Sequence, residues 1–162
     1  MLKKPVSFSL IICITISFSC SQKLTPIASI GAQTTAFSHP SWSEQSNIYE
    51  VNVRQYSNEG TFKGFEKSLP RLHKMGVKIL WFMPVNPIGV EGRKMTSSDL
   101  GSYYSVMNYK EINPEFGTMN DWKELVKHAH SLGFKVIIDW VPNHTSPDNP
   151  CMKEHPAFYQ HD

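Results

Sequence analysis

The chain has few cysteines and almost no net charge, and each shortage excludes a class of protein. Three of its 162 residues are cysteines, and Cys13 and Cys20 lie in the leading segment. Cys151 is then alone, so no disulfide framework can be drawn. The formal net charge is +2, from 16 Lys and Arg against 14 Asp and Glu, without a basic cluster. These features exclude nucleic acid as a partner.

A hydrophobic run long enough to cross a membrane is also missing. Residues 6–18 are almost uncharged and apolar, whereas a spanning helix needs roughly 20 such residues. Lys3 and Lys4 precede this run, and small serines lead up to Cys20. The layout predicts an export signal over residues 1–19 and resembles a bacterial lipoprotein signal, with Cys20 as the lipidated first residue of the mature chain. We therefore expect a membrane-anchored protein of the periplasm or cell surface. Plain cleavage before Cys20, giving a secreted protein, is the alternative.

The segment after the signal has the composition of a linker. Residues 20–46 are rich in Ser, Thr, Ala and Pro and show neither helical nor strand periodicity. This predicts a flexible tether away from the membrane. From residue 47 the pattern changes, so we place a folded domain over residues 47–162.

Strand and helix patterns alternate within this domain. A helical spacing of apolar residues covers residues 60–76, where Pro70 predicts a kink or a helix start. A second helix covers residues 118–133 and opens with Thr118 and Asp121 at capping-box spacing. Each helix ends on a glycine suited to a left-handed cap. The predicted strands cover residues 48–54, 77–83 and 135–138. This order indicates parallel strands with right-handed crossovers.

The loops that leave the strands are long, while those that enter them are short. Residues 86–117 lack periodicity but contain aromatic residues, so we expect this loop to be ordered and functional. The third strand runs directly into Asp-Trp-Val-Pro-Asn-His at positions 139–144. In parallel α/β barrels the carboxyl ends of the strands carry the active site. The polar tip at 139–144 is therefore the candidate site.

These loop sequences resemble motifs of the α-amylase family, glycoside hydrolase family thirteen. Residues 139–144 are similar to its Asp-x-Val-x-Asn-His motif, and residues 101–109 to its Gly-x-x-Tyr-x-x-x-Asp-Tyr element. Residues 112–118 are similar to its Ile-Asp/Asn-Pro-x-Phe-Gly-Thr segment, and residues 48–54 to its first strand. The resemblance runs from about residue 47 to the end of the chain. It implies an α/β fold, the amino-terminal strand-helix-strand-helix-strand portion of a truncated (β/α)8 TIM barrel.

The resemblance also implies roles for individual residues. His144 would donate a hydrogen bond to the sugar before the scissile bond, and the ring of Tyr104 would stack on that sugar. Packing of the tyrosine at 103 or 104 under the loop is the alternative. Asp139 would support the barrel mouth by accepting hydrogen bonds. Asn143 matches a position that often gives a carbonyl oxygen to a structural calcium ion, against the alternative of a hydrogen bond that fixes the loop.

The chemistry implied by the resemblance is retaining α-glycoside hydrolysis or transfer on α-glucan oligosaccharides or polysaccharides. In the family, the nucleophile and the acid/base come from the fourth and fifth strands, and no carboxylate of this chain occupies a matching position. We therefore expect a truncated product or an incomplete sequence, inactive by itself. The alternatives are a transglycosylase or isomerase on the same scaffold and a non-catalytic glucan-binding lipoprotein.

Other tryptophans and histidines are interpreted as structural. Trp122 lies on the apolar face of the second predicted helix and is expected in the core. Trp81 and Trp140 accompany apolar strand sequences and are expected to pack. His128 and His130 do not share a helix face, so we expect both to be solvated.

Overall fold

Three parallel strands form the centre of the computed structural model, which describes residues 38–94, 96 and 100–160. The strands are β1 (Ile48–Val51), β2 (Ile79–Phe82) and β3 (Lys135–Ile138), in that order across the sheet. Both pairings are parallel, and the three strands begin level with one another. The predicted parallel order is confirmed. It places the three carboxyl ends at one edge, where the candidate site was expected.

The predicted export signal, with Cys20, lies outside the described residues, as does the tether up to residue 37. The described end of the predicted tether contains a 3-10 turn, Ser41–Ser43. There the Lys135 ammonium lies 5.3 Å from the centre of the Trp42 ring. From His39 onward the chain forms one compact unit. None of the helices described is long and apolar enough to span a bilayer.

The first strand is shorter than predicted because a capped helix starts directly after it. β1 ends at Val51, and Asn52 Oδ1 then accepts the Gln55 N–H at 3.3 Å. This caps α1 (Val53–Tyr56), so the prediction of strand as far as residue 54 was wrong. The side-chain cap outweighs the strand composition of the following residues.

The predicted helix over residues 60–76 is divided into two. In α2 (Phe62–Glu66), Thr61 caps the amino terminus by accepting a backbone N–H of the first turn at 3.1 Å. In α3 (Leu69–Lys74), Pro70 lies in the first turn, where its missing N–H leaves no helical bond unmade. Gly76 follows with a φ of 85°, as predicted for a left-handed cap.

The second predicted helix begins at the predicted capping box. It is α4 (Met119–Ser131), where Thr118 Oγ1 accepts the Asp121 N–H at 3.1 Å and Asp121 Oδ2 accepts the Thr118 N–H at 2.8 Å. Its buried face carries Trp122, Leu125 and Ala129, and it packs against α2. This confirms the core assignment of Trp122. Gly133, with a φ of 86°, ends the turn into β3.

His128 is partly exposed, in agreement with the prediction, but it also has an acidic partner that was not predicted. Its Nδ1 lies 2.8 Å from Glu66 Oε1 on α2, and its side chain is only partly exposed. Sequence spacing along one helix does not reveal this partner, because the packing of α2 against α4 brings the acidic side chain within reach. His130 is exposed, in agreement with the prediction.

Aromatic side chains fill the space between the sheet and the helices. The Phe82 ring of β2 lies 5.2 Å from Phe65 and 5.0 Å from Trp122, with both pairs edge to face. Phe62 contacts Trp122 and also Phe116 from the long loop. These edge-to-face contacts add to the apolar burial that fixes the helices on the sheet. Phe116 also attaches the end of the long loop to the same core.

β3 is more exposed than its apolar sequence predicts. Ile137 and Ile138 are 43% and 41% exposed, and Trp140 is 72% exposed. The predicted packing role of Trp140 was therefore wrong for the described residues. Within them β3 pairs with β2 alone, so one edge of the strand has no neighbour. Trp81, in the central strand, is half-buried.

Asp121 is expected to make folding stability depend on acid pH. The Thr118 hydroxyl and then the Lys63 ammonium, 2.9 Å away, hold the pKa of this carboxyl far below its ordinary 3.8. Because the pKa is depressed in the folded state, the stabilisation is complete above pH 4–5 and is lost as the pH falls towards the folded pKa. Asp121→Asn should lower the melting temperature by a few degrees at pH 7 and flatten its decline below about pH 4. Thermal unfolding between pH 7 and 2.5 measures both effects.

Glu124→Gln on the exposed side of α4 is the matched control for Asp121→Asn, since it removes a carboxylate from the same helix without touching the capping box. It should leave the acid profile close to that of the unchanged protein. Equal acid profiles for Asp121→Asn and the unchanged protein would contradict the assignment.

Candidate functional site

The long loop after β2 folds back over the segment that follows β3. Ile88 and Val106 form an antiparallel bridge, and Gly89 N–H donates to the Ser105 carbonyl at 2.8 Å. This hairpin-like closure presents residues 100–106 beside the tip at 139–144. Two chain segments far apart in sequence therefore build one rim at the carboxyl ends of the strands.

Tyr104 and Asp139 meet at this rim. The Tyr104 hydroxyl donates to Asp139 Oδ2 at 2.8 Å, while the tyrosine remains 39% exposed. This hydrogen bond, followed by burial and by the charge of Asp139, raises the pKa of Tyr104 to about 12. The Tyr104 side chain is thus held at its hydroxyl, and part of the side chain remains exposed to solvent. A ring fixed in this way can receive the apolar face of a sugar.

His144 joins the same group through the backbone of Tyr104. Its Nε2 lies 3.1 Å from the Tyr104 carbonyl oxygen, and its Nδ1 lies 3.2 Å from Asn143 Nδ2. Since a carbonyl only accepts and an amide nitrogen only donates, this geometry assigns the proton of the neutral ring to Nε2. The N–H that His144 is predicted to donate to a sugar is therefore directed at the Tyr104 carbonyl. A sugar hydroxyl would replace that carbonyl or share the N–H with it.

Tyr109 holds the tip at 139–144 through contacts with its backbone. Its hydroxyl lies within hydrogen-bonding distance of the Val141 carbonyl oxygen and 3.1 Å from that of His144. Burial raises the pKa of the Tyr109 phenol, so it stays protonated and able to donate. The backbone on which His144 is mounted is therefore fixed by a residue of the long loop.

A second set of contacts joins the two segments further from the rim. Asp148 Oδ2 accepts the Val90 N–H at 2.7 Å and the Glu91 N–H at 3.2 Å. The buried Ser146 and Asn149 side chains both donate to the Val106 carbonyl, at 3.0 and 3.2 Å. Sequence reasoning missed these residues, because Ser, Asp and Asn after a strand resemble ordinary turn residues. Only the bridge between the two loops gives them these distant partners.

A cavity of about 1060 Å³ lies beside the tip. Trp140, Asn143 and His144 line it, together with Tyr109 and side chains of the segment containing α5 (Pro150–Glu154) and the 3-10 turn Pro156–Phe158. Phe158 is exposed and stacks on His155 with ring centres 4.9 Å apart. His144 therefore contacts Tyr104 and also lines this cavity.

The described residues around Asn143 do not by themselves fit a calcium ion. Calcium takes about six to eight oxygen ligands, with carboxylates prominent among them. The cavity that Asn143 lines contains no Asp or Glu among its lining residues. In the described part of the chain, no three His, Cys, Asp or Glu side chains are grouped for a metal. Asn143 instead supports the His144 ring through its amide nitrogen.

The chain matches a known protein family and also resembles solved structures of known proteins. The profile of the family described as alpha amylase, catalytic domain, matches residues 32–160. An alpha-amylase from Lactobacillus plantarum has a similar structure, with a TM-score of 0.68 and 49% identity over 72% of this chain and 27% of that one.

Two curated relatives show how much of a whole protein the chain represents. A trehalose synthase from Thermus thermophilus is 36% identical over 122 residues, covering 71% of this chain and 11% of that protein. An alpha-glucosidase from Pediococcus pentosaceus is 32% identical over 117 residues, covering 69% and 19%. The chain thus spans about one fifth or less of the length of these relatives. The structural match confirms the predicted fold, the amino-terminal part of a (β/α)8 barrel.

Proposed function

Since this chain belongs to the alpha-amylase catalytic-domain family, we propose that it forms the amino-terminal part of an enzyme that acts on α-glucans. In this proposal the chain supplies one wall of the sugar site. The observation that carries it is the contact of Tyr104 with both Asp139 and His144 at the carboxyl ends of the strands.

The three residues can hold a sugar ring in complementary ways. Tyr104 offers a tethered and partly exposed aromatic ring for the C–H face of glucose. His144 offers an oriented N–H beside that ring, and Asp139 keeps the ring in place from behind. A pre-organised site of this kind loses less conformational entropy when ligand binds.

The chemistry proposed for the complete domain is retaining α-glycoside hydrolysis. The resemblance assigns the nucleophile and the acid/base to strands beyond the third, so we propose that the 162-residue chain by itself binds sugar without cleaving it. Transfer or isomerisation on the same scaffold is the second candidate. The 36% identity to a trehalose synthase supports this second candidate.

The location and metal requirement follow as proposals of the same kind. The layout of residues 1–19 supports export, with Cys20 as a lipid attachment site that would anchor the protein to a membrane. We propose a bound calcium ion only for the complete domain. There Asn143 would give one oxygen, and the other ligands would come from outside the described cavity lining.

The proposal predicts that the purified protein binds maltoheptaose and not the β-linked cellohexaose. Tyr104→Ala should weaken maltoheptaose binding about tenfold, since it removes the stacking surface. Tyr104→Phe keeps the ring and loses only the bond to Asp139, so its affinity should fall less. Isothermal titration calorimetry measures all three proteins. Equal binding of both sugars, or binding unaffected by Tyr104→Ala, would contradict an α-glucan site at this rim.

A further inference from the structure

Arg54 connects the end of the first strand to the loop that carries Tyr104. Its Nη2 donates to Glu115 Oε2 at 2.8 Å and to the Leu100 carbonyl at 3.2 Å. Its guanidinium carbon lies 4.7 Å from the centre of the Tyr103 ring. The Arg54 side chain is only 14% exposed, whereas that of Glu115 is 54% exposed, so the guanidinium is largely covered while its acidic partner faces solvent. One guanidinium therefore holds the loop at three points.

Asn52 completes the attachment on the other side of Tyr103. The Tyr103 hydroxyl donates to Asn52 Oδ1 at 2.9 Å, and the same oxygen caps α1. The Tyr103 ring is thus held at its face by Arg54 and at its hydroxyl by Asn52. Both anchoring residues follow β1 closely, Asn52 as the cap of α1 and Arg54 within that helix.

Tyr103 immediately precedes Tyr104, and the two rings have different partners. The Tyr103 ring is held towards β1 and lies 6.3 Å from Phe116, whereas Tyr104 reaches Asp139 after β3. Fixing Tyr103 fixes the backbone at 103–104 and hence the carbonyl that His144 contacts. The loop therefore spans the rim between the first and third strands, held at each end by side chains.

We propose that Arg54, together with Asn52, is a positioning residue that sets the placement of Tyr104 at the sugar site by clamping Tyr103. The part of this inference that concerns sugar rests on the proposed function. Lysine would not serve equally well, because a single ammonium cannot stack flat on a ring while donating in the plane to a carboxylate and a carbonyl. Arg54 itself has no assigned contact with sugar, so its effect passes entirely through the loop.

The test compares Arg54→Met with Arg71→Met as a matched control. Arg71 also donates to a tyrosine, Tyr56, at 2.7 Å, but it lies on α3 away from the loop. The first readout is the ionisation of Tyr104, followed by NMR of protein labelled at the tyrosine ring carbon that bears the hydroxyl and assigned with Tyr104→Phe. In the unchanged protein the phenol should remain mostly protonated at about pH 10.5.

Arg54→Met should bring the pKa of Tyr104 back towards 10, so that the phenol is mostly ionised at that pH, while Arg71→Met leaves it unchanged. Maltoheptaose affinity should fall about three- to tenfold in Arg54→Met alone. Tyr103→Phe, which removes only the bond to Asn52, should give a smaller change of the same sign. If Arg54→Met does not fold, the pKa of Tyr104 in the Tyr103→Phe protein is the test. A lowered pKa would support the positioning role, and an unchanged pKa would overturn it.

The two readouts separate the two proposals. A lowered Tyr104 pKa without sugar binding in the unchanged protein would support the positioning role and overturn the α-glucan site. A folded Arg54→Met protein whose Tyr104 pKa is unchanged would overturn the positioning role, whatever the sugar data show. A loss of melting temperature with an unchanged Tyr104 pKa would mean that Arg54 only stabilises the fold.

Discussion

His144→Ala is expected to weaken maltoheptaose binding roughly a hundredfold, the largest functional effect predicted for a single side chain of this protein. The substitution removes the Nε2–H, which contacts the Tyr104 carbonyl in the free protein and would donate to sugar in the complex, together with the imidazole that helps to fix the stacking ring. It also leaves the Asn143 amide without its contact to the imidazole.

The control for His144→Ala is His130→Ala, on the exposed side of α4. It removes the same side chain from the carboxyl-terminal end of α4, next to the turn that enters β3 and not at the end of β3 that carries the rim, and should leave affinity unchanged. His144→Gln retains a donor and an acceptor and should recover part of the affinity. Titration of the three variants with maltoheptaose measures the differences. A His144→Ala protein that keeps its melting temperature and binds like the unchanged protein would remove His144 from the site.

The parts of the fold that sequence predicted are those decided by neighbouring residues. The capping box of Thr118 and Asp121 requires only a hydroxyl and a carboxylate three positions apart, and it formed where expected. Gly76 and Gly133 have the positive φ values predicted for helix caps. The apolar strand sequences gave the parallel order, because helices between strands require crossovers.

The parts that sequence did not predict depend on contacts between distant residues. The strand composition after Val51 is overridden by the cap of Asn52, whose oxygen is also bound by Tyr103 from the long loop. The exposure of Trp140 depends on which elements pack beside β3. The composition of the strand itself does not reveal those neighbours. At the site, the motif residues Tyr104, Asp139 and His144 do lie together, although their roles in sugar binding stay predictions.

Support of the rim by a second set of residues was the least predictable feature. Asp148 and Ser146 are separated from their partners by about forty residues or more of chain, and turn-like sequence gives no sign of the pairing. Arg54 was assigned only to the first strand, whereas its side chain acts on the loop that contains Leu100 and Glu115. A loop longer than thirty residues can close in many ways, and these polar contacts select one of them.

Gly89→Ala should have the largest effect on stability, because the space for a side chain at this position is already occupied. An added Cβ would lie 2.2 Å from Ser146 Cβ and 2.7 Å from Asp148 Oδ1. Neither neighbour can easily withdraw, since Ser146 is bound to the Val106 carbonyl through both its N–H and its hydroxyl. Gly89 is itself fixed by its bond to the Ser105 carbonyl. We expect a loss of about 2–3 kcal/mol in the free energy of unfolding.

A double variant tests whether the stability lost in Gly89→Ala comes from crowding against Ser146 or from a general weakening of the loop. Ser146→Gly removes the Cβ that blocks the added methyl group, at the cost of about 1 kcal/mol for the lost hydroxyl bond. The Gly89→Ala, Ser146→Gly protein should therefore be clearly more stable than the sum of the single changes predicts, because the two sites share one small space. Urea unfolding of the four proteins gives the coupling energy. Simple additivity would show that the cost of Gly89→Ala does not come from crowding against Ser146.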